Sequence, residues 1–203
     1  MKKIFFVPLF VLLLIGAGCN SASVDEIATD ETQPTQSSTL NTMTYTFPGV
    51  LEAAQIENKQ ARITTEKGDI VFALFADTAP ATVSNFVYLA GLGYFDGLTF
   101  HRRVEGFVIQ GGDPSGDGTG GPGYTIAEEV NDERQYARGI VAMAKRPEPH
   151  TSGSQFFIML EDYPLDKDYT IFGEVILGQD VVDAIAIGDV MSRVTIEDAT
   201  TGL

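Results

Sequence analysis

Hydrophobic and polar positions alternate along the middle of the chain in a pattern that predicts short β-strands. The segment ARITTEKGDIVFALF (61–75) alternates on both sides of a Glu66-Lys67-Gly68-Asp69 turn, which is typical of a β-hairpin. Further apolar runs predict strands at 99–104, 107–111, 139–144, 155–160, 170–175 and 190–196. Residues 45–61 follow neither the strand nor the helix period and receive no assignment.

Two segments show the helical spacing of apolar residues instead. In DTAPATVSNFVYLAGLGYF (77–95), the residues that recur at this spacing are Val83, Phe86, Val87 and Ala90. Pro80 lies near the first turn, and Gly91 or Gly93 can end the helix. The stretch GQDVVDAIAI (178–187) predicts a second amphipathic helix. Many short strands with one early and one late helix favour a mainly β fold, namely a closed antiparallel β-barrel with α-helices capping its ends.

The N-terminal segment MKKIFFVPLFVLLLIGAGC has the pattern of an export signal. Two lysines precede an apolar stretch, Ile4 to Ile15, that is too short to span a membrane comfortably. Small residues then lead to Cys19. This ending resembles the lipobox of bacterial lipoproteins, although Gly16 stands where Leu is usual. The resemblance implies a signal peptide of residues 1–18 and a fatty acid such as palmitate on Cys19; an ordinary cleavable signal is the alternative.

The lipobox resemblance also implies a location. The protein would be exported and anchored through Cys19 to the outer face of the cytoplasmic membrane, or to the outer membrane of a host with two membranes. Residue 20 is Asn and not Asp, so no inner-membrane retention signal is evident. Residues 19–44 are rich in Ser, Thr and Gln without apolar periodicity, which predicts a disordered tether of roughly 25–30 Å. Residues 45–203 are then the single folded domain.

Composition and charge narrow the classes of partner. The chain has 203 residues, of which 44% are hydrophobic, enough for one domain with a core. Its 28 acidic and 13 basic residues give a net charge of −15, which argues against a nucleic-acid partner. The single cysteine excludes an intrachain disulfide, and with only two histidines no His-rich metal site is expected.

Several motif matches in the glycine-rich region have a structural interpretation. GDGTGG (116–121) matches the dinucleotide pattern, but Pro122-Gly123 follows where a helix should open, so we interpret it as a surface loop. DPSGDG (113–118) lacks the ligand spacing of a calcium loop. There is no G-x-S-x-G elbow, and neither His101 nor His150 has an identifiable nucleophile beside it. Both histidines are interpreted as structural or surface residues.

Three longer blocks carry a specific resemblance. They are FHRRVEGFVIQGGDPSGDGTGGPGY (100–124), GIVAMAK (139–145) and GSQFFIML followed by YTIFGEV (153–160 and 169–175). In order and approximate spacing they resemble the cyclophilin-type peptidyl-prolyl cis-trans isomerases, and the resemblance runs from about residue 61 to 196. It implies an eight-stranded antiparallel barrel with two helices. It also implies a monomer that acts on X-Pro bonds of polypeptides without a cofactor or metal.

The resemblance assigns roles to individual residues. Arg102 matches the catalytic arginine of the family. The positions that match substrate-binding residues are Phe107, Val108, Gln110, Ala144, Lys145, Gln155, Phe157, Leu165 and Tyr169. The chain departs from the family pattern at Pro164, where many members have Trp or His, and the segment 145–155 is about one residue longer than usual. These departures leave the substrate preference and inhibitor affinity open.

The residue types suit the reaction that the resemblance implies. Amide resonance sets a rotation barrier of ~18–20 kcal/mol, whereas cis and trans X-Pro differ by only ≈ 0.5–1 kcal/mol, so a catalyst need only lower the barrier. A permanently charged arginine can stabilise the prolyl nitrogen as it loses conjugation. Phe107, Val108 and Phe157 would supply an apolar slot for the proline ring. A tethered module that binds proline-containing segments without catalysis, as a holdase, is the alternative; a solute-binding lipoprotein is disfavoured because the chain is short for two lobes.

Overall fold

An eight-stranded antiparallel sheet dominates the computed structural model, which describes residues 44–130 and 134–199. The strands are β1 (Lys59–Thr65), β2 (Gly68–Leu74), β3 (Arg102–Val104), β4 (Val108–Gly111), β5 (Ile140–Met143), β6 (Phe156–Met159), β7 (Ile171–Leu177) and β8 (Arg193–Asp198). Their order across the sheet is β3-β4-β6-β5-β7-β2-β1-β8. The predicted signal peptide, Cys19 and nearly all of the predicted tether lie outside the described residues.

The sheet is curled and open, so the predicted closure of the barrel is not seen. β3 and β8 are the end strands and do not pair with each other in the described part of the chain. The segments before these strands do meet, through a bridge between Thr99 and Val190 and a hydrogen bond of 2.9 Å from Phe100 N–H to Asp189 O. β3 has only three residues, which is too short to extend this contact into a ladder. The mainly β, antiparallel prediction is confirmed as a half-barrel.

In the described part of the chain, three helices accompany the sheet: α1 (Ala53–Ile56), α2 (Pro80–Gly91) and α3 (Gln179–Ala184). The two predicted helices are present as α2 and the shorter α3, while the single turn of α1 was not predicted. Proline at the first position suits the start of α2 because its missing N–H would have no partner there. The carboxylate of Glu129 accepts hydrogen bonds from Ala81 N–H (2.9 Å) and Thr82 N–H (2.8 Å), which satisfies further donors of the first turn. Among residues 44–130 and 134–199, no helix has the length and apolar character needed to cross a bilayer.

One face of the sheet packs against α2 and forms a cluster of aromatic rings, which we call the inner cluster. Phe86 of α2 lies at its centre, with ring centroids 4.8 Å from Phe95, 5.5 Å from Phe172, 5.6 Å from Phe72 and 5.7 Å from Phe156. All five side chains are at most 1% exposed. Large rings in mutual contact bury much apolar area, so this cluster supplies the main hydrophobic stabilisation of the fold.

The opposite face of the same strands carries a second apolar group, which we call the outer cluster. Its buried members are Val108, Tyr136, Ile140, Ala142, Phe157, Met159 and Ile171. β5 and β6 are therefore buried on both faces, and their residues alternate between the two clusters. Because an antiparallel sheet commonly leaves one face to solvent, an apolar outer face on these strands calls for an explanation beyond folding.

Candidate active site

The strand register gathers four residues from four strands into one row on the outer face. Arg102 lies opposite Gln110, Gln110 lies opposite Phe157, and Phe157 lies opposite Ala142. Residues directly opposite each other in an antiparallel pair share a face, with Cβ atoms about 4.5–5.5 Å apart. Residues separated by up to 55 positions in the sequence are thus placed side by side. Three members of the row, Arg102, Gln110 and Phe157, line a cavity.

This cavity has a volume of about 260 Å³ and collects nine of the ten residues that the sequence predicts as site residues. Its lining residues are Arg102, Phe107, Val108, Gln110, Ala144, Lys145, Phe157, Leu165 and Tyr169. The tenth, Gln155, lies next to it and accepts a hydrogen bond of 2.9 Å from Gln110 Nε2. We call this the smaller cavity. Most of its lining side chains are apolar, and Arg102, Lys145 and Gln110 contribute two cationic groups and one amide.

Arg102 is exposed and is oriented by a relay of side-chain amides. Its Nη1 donates to Gln110 Oε1 at 3.1 Å, and Gln155 Nε2 donates in turn to the carbonyl oxygens of Gly118 (3.0 Å) and Gly120 (2.9 Å). Each amide therefore has its orientation fixed by the next partner. Within the described residues, the other N–H groups of the Arg102 guanidinium have no hydrogen-bond partner and remain available to a ligand.

The glycine-rich loop at the end of this relay is anchored by a buried carboxylate. Asp113 is 1% exposed and accepts hydrogen bonds from the N–H groups of Ser115 (2.8 Å), Asp117 (3.1 Å) and Gly118 (2.5 Å). A Cβ at Gly120 would lie 2.1 Å from Asp113 Oδ1, so only glycine fits there. No helix follows this loop, and in the described residues no group of histidine, cysteine and acidic side chains is arranged to hold a metal ion. Residues 116–121 form a loop at the surface without helix or strand, as predicted.

Tyrosines and Lys145 form the far rim of the smaller cavity. The Tyr136 hydroxyl donates to Tyr169 O at 2.9 Å and accepts from Tyr169 N–H at 3.1 Å, which holds the Tyr169 ring 5.6 Å from that of Phe157. Burial raises the pKa of Tyr136, so its hydroxyl stays protonated at neutral pH. Lys145 Nζ lies 3.6 Å from Asp168 Oδ2 and 5.9 Å from the Tyr169 ring centre.

The two histidines occupy places that do not suit acid–base chemistry on a substrate. His101 does not line the smaller cavity, and neither of its ring nitrogens has a hydrogen-bond partner among the described residues. Burial lowers the pKa of His101, which keeps the ring neutral at pH 7. His150 is exposed at the tip of a loop, with φ of 58° and its backbone N–H donating to both oxygens of Glu128 (2.8 and 3.0 Å).

A second, larger cavity of about 520 Å³ adjoins the first and shares Gln110, Ala144 and Lys145 with it. The other lining residues are Gly118, Thr119, Gly120, Gly121, Pro122, Gly123, Tyr124, Thr125, Arg146, Thr151, Gly153, Ser154 and Gln155. Most of these were not predicted as site residues from the sequence. They come from the glycine-rich loop (118–125) and from the segment before β6 (146–155), and Gln155 joins the two through its hydrogen bonds to Gly118 O and Gly120 O. No local sequence pattern predicts this contact.

Comparison with known proteins agrees with this geometry. Residues 60–201 match the family model described as cyclophilin type peptidyl-prolyl cis-trans isomerase/CLD. A peptidyl-prolyl cis-trans isomerase of Helicobacter pylori is 46% identical over 138 residues, which cover 66% of this chain and 84% of that protein. Peptidyl-prolyl cis-trans isomerase B of Bacillus subtilis is 47% identical over 130 residues, covering 63% and 90%.

A solved structure shows the same fold. The cyclophilin-type peptidyl-prolyl cis-trans isomerase of Cryptosporidium parvum, crystallised in the presence of the dipeptide Ala-Pro, superposes with a TM-score of 0.64 at 35% identity. The alignment covers 68% of this chain and 98% of that one. The family match extends over most of the described residues and includes all eight strands of the sheet except the first residue of β1, Lys59. The chain therefore belongs to the cyclophilin-type peptidyl-prolyl cis-trans isomerases.

Proposed function

We propose that this isomerase lowers the barrier of X-Pro rotation by stabilising the twisted amide with Arg102. The observation that carries the proposal is the position of the Arg102 guanidinium at the edge of an apolar cavity, held by Gln110 and with donors left free for a ligand. As the bond twists, the prolyl nitrogen loses conjugation and its lone pair becomes a hydrogen-bond acceptor. A fixed cation binds that state more strongly than the planar amide, and this difference accelerates rotation.

The apolar cavity supplies the second part of the mechanism, since one side of the bond must be held while the other turns. Phe107, Val108 and Phe157 offer the floor and walls for a pyrrolidine ring, and Leu165 borders them. Gln110 and the backbone at Ala144 lie beside them and can hydrogen-bond the substrate chain. The substrates are then proline-containing polypeptides, and the crystallisation of the Cryptosporidium relative with the dipeptide Ala-Pro supports this assignment. No covalent bond is made or broken.

An exchange assay tests the role of Arg102. The full chain, purified in a mild detergent, is mixed with a proline peptide, and the cis/trans exchange rate is measured by NMR. Arg102→Ala should remain folded and lose at least about 90% of the catalysed rate, and Arg102→Lys should recover only part of it because a lysine lacks the planar fork. Arg193, an exposed arginine of β8 without an ion pair in the described residues, provides the matched control Arg193→Ala, which should retain full activity.

The same assay separates catalysis from the holdase alternative. Binding of the peptide without any rate enhancement by the wild-type chain would support a module that holds proline-containing segments. Rate enhancement that survives in Arg102→Ala would leave the protein an isomerase and refute the role of its arginine.

We further propose that the enzyme works outside the cytoplasm, anchored to a membrane by a lipid on Cys19. The basic, apolar and small-residue pattern of residues 1–19 supports this proposal. Exported chains fold without cytoplasmic helpers, and an unassisted X-Pro switch takes tens to hundreds of seconds, so an isomerase at that location would accelerate their folding. Growth with a fatty-acid analogue should label the wild type and leave Cys19→Ser unlabelled. An unlabelled wild type would contradict the lipid anchor and leave the isomerase untouched.

A further inference from the structure

The larger cavity has a charge opposite to that of the protein around it. The whole chain carries −15, yet of the described residues that line this cavity two are cationic, Lys145 and Arg146, and none is acidic. The Lys145 side chain is 8% exposed, and its Nζ already has an ion-pair partner in Asp168 Oδ2 at 3.6 Å. The unbalanced positive charge therefore belongs to Arg146.

Arg146 is held in place through its backbone while its charged group stays unpaired. Its N–H donates to Thr151 Oγ1 at 2.9 Å, and the same hydroxyl bonds to Glu148 O at 2.9 Å, which closes the loop on itself. The Arg146 side chain is exposed and makes no ion pair within the described residues. Glu128, which anchors the loop, directs its carboxylate to the N–H and ring of His150. A fixed backbone with an uncompensated guanidinium is suited to binding a carboxylate.

The two cavities are close enough to bind neighbouring residues of one substrate. They share Gln110, Ala144 and Lys145, so a chain whose proline occupies the smaller cavity passes directly over the larger. An extended peptide advances about 3.3–3.6 Å per residue and alternates its side chains. A residue two or three positions from the proline can therefore place its side chain beside Arg146.

We propose that the larger cavity binds an aspartate or glutamate side chain near the substrate proline, and that Arg146 determines this preference. The inference rests on the proposed function, because it requires a proline bound in the smaller cavity. The enzyme then favours acidic proline-containing segments. Charge steering from the rest of the surface would act in the opposite direction, since a net charge of −15 repels acidic peptides.

The test compares exchange rates for blocked peptides that differ at one position. One series carries Glu, Gln or Lys two residues before the proline, and the other carries them two residues after it. The readout is the ratio of kcat/KM for the Glu peptide to that for the Gln peptide, so any general change in activity cancels. We expect a ratio of roughly two to five in one series, the strength of a partly exposed ion pair, decreasing at high salt.

Variants of Arg146 decide the assignment. Arg146→Gln should bring the ratio to about one, and Arg146→Glu should reverse it in favour of the Lys peptide, whereas the remote control Arg193→Gln should leave it unchanged. A wild-type ratio near one in both series, or a ratio that persists in Arg146→Gln, would overturn the proposal. If no peptide is isomerised at all, the proposed function fails and not merely its specificity.

Discussion

The inner and outer clusters occupy opposite faces of the same strands, yet they differ in what covers them. Phe156 and Phe157 are neighbours on β6; Phe156 packs against Phe86 and Phe95 in the inner cluster, whereas Phe157 lines the smaller cavity. The inner cluster is closed by α2 and filled with rings. The outer cluster is only partly covered, by the loops that carry Tyr136 and Tyr169. Similar apolar residues thus stabilise the fold on one face and leave a binding surface on the other.

The far end of the sheet shows what the outer face looks like without a site. On β1 the outward residues are Gln60 and Arg62, and Glu197 of β8 accepts hydrogen bonds from both. Asp69 of β2 completes this polar group, 2.9 Å from Arg62 Nη1. The outer face is therefore polar at β1 and β8 and apolar at β4, β5 and β6. The change in polarity along one face marks the position of the site.

The largest expected effect is the loss of the central ring of the inner cluster. Phe86→Ala removes a side chain that contacts four other phenylalanines, and large-to-small changes of this kind cost about 3–5 kcal/mol. Urea unfolding should show this loss in the free energy of unfolding. The fraction that stays folded should retain its kcat/KM, because Phe86 does not line either cavity. A specific loss of kcat/KM at unchanged stability would contradict the assignment of the inner face to folding alone.

An intermediate effect is expected from breaking the hydrogen bonds that orient Arg102 on the outer face. Gln155→Ala breaks the relay between Gln110 and the carbonyls of Gly118 and Gly120. The net value of such hydrogen bonds is about 0.5–1.5 kcal/mol, so kcat/KM should fall roughly two- to tenfold with little change in stability. Gln60→Ala, which removes a comparable glutamine from the polar end of the same face, serves as the control and should leave kcat/KM unchanged. Equal losses in both variants would argue against the relay.

The smallest effect concerns pH at the polar end. Hydrogen bonds from Arg62, then from Gln60, hold the pKa of Glu197 below its usual range. The stabilisation is therefore complete above the unfolded pKa of about 4.3 and is lost as the pH falls through the lower folded value. Because Glu197 is about a third exposed, we expect less than ~1 kcal/mol. Glu197→Gln should weaken the acid dependence of unfolding between about pH 5 and 3, and Glu174→Gln, at an exposed position of β7, should not.

Local patterns predict those elements whose signals lie within a few residues. The β1–β2 hairpin follows from alternation around a turn, and α2 follows from its apolar spacing and Pro80. The first strand of the site was predicted as 99–104 but begins at Arg102, because Thr99 and Phe100 pair with the segment before β8 instead. α1 was missed since its four residues carry no period and no capping side chain.

The residues of the site also differ in how far the sequence predicts them. The family motifs identify the nine residues that line the smaller cavity, among them Arg102 and Tyr169. Arg146 and the glycine-rich wall of the larger cavity were not found, because their proximity depends on Gln155 and Asp113 folding a distant loop into place. Whether the half-barrel closes also depends on contacts between segments that are far apart in the sequence, such as Thr99 and Val190, which periodicity does not encode.

One matched pair tests most directly that the two faces of a strand divide folding from catalysis. Phe156→Leu and Phe157→Leu change the same residue type at adjacent positions of β6, and both the free energy of unfolding and kcat/KM are measured for each. Phe156→Leu should cost roughly 1–2 kcal/mol of stability while kcat/KM is retained. Phe157→Leu should lower kcat/KM about tenfold with the smaller loss of stability. The same profile in both variants, or the reverse assignment, would contradict the account.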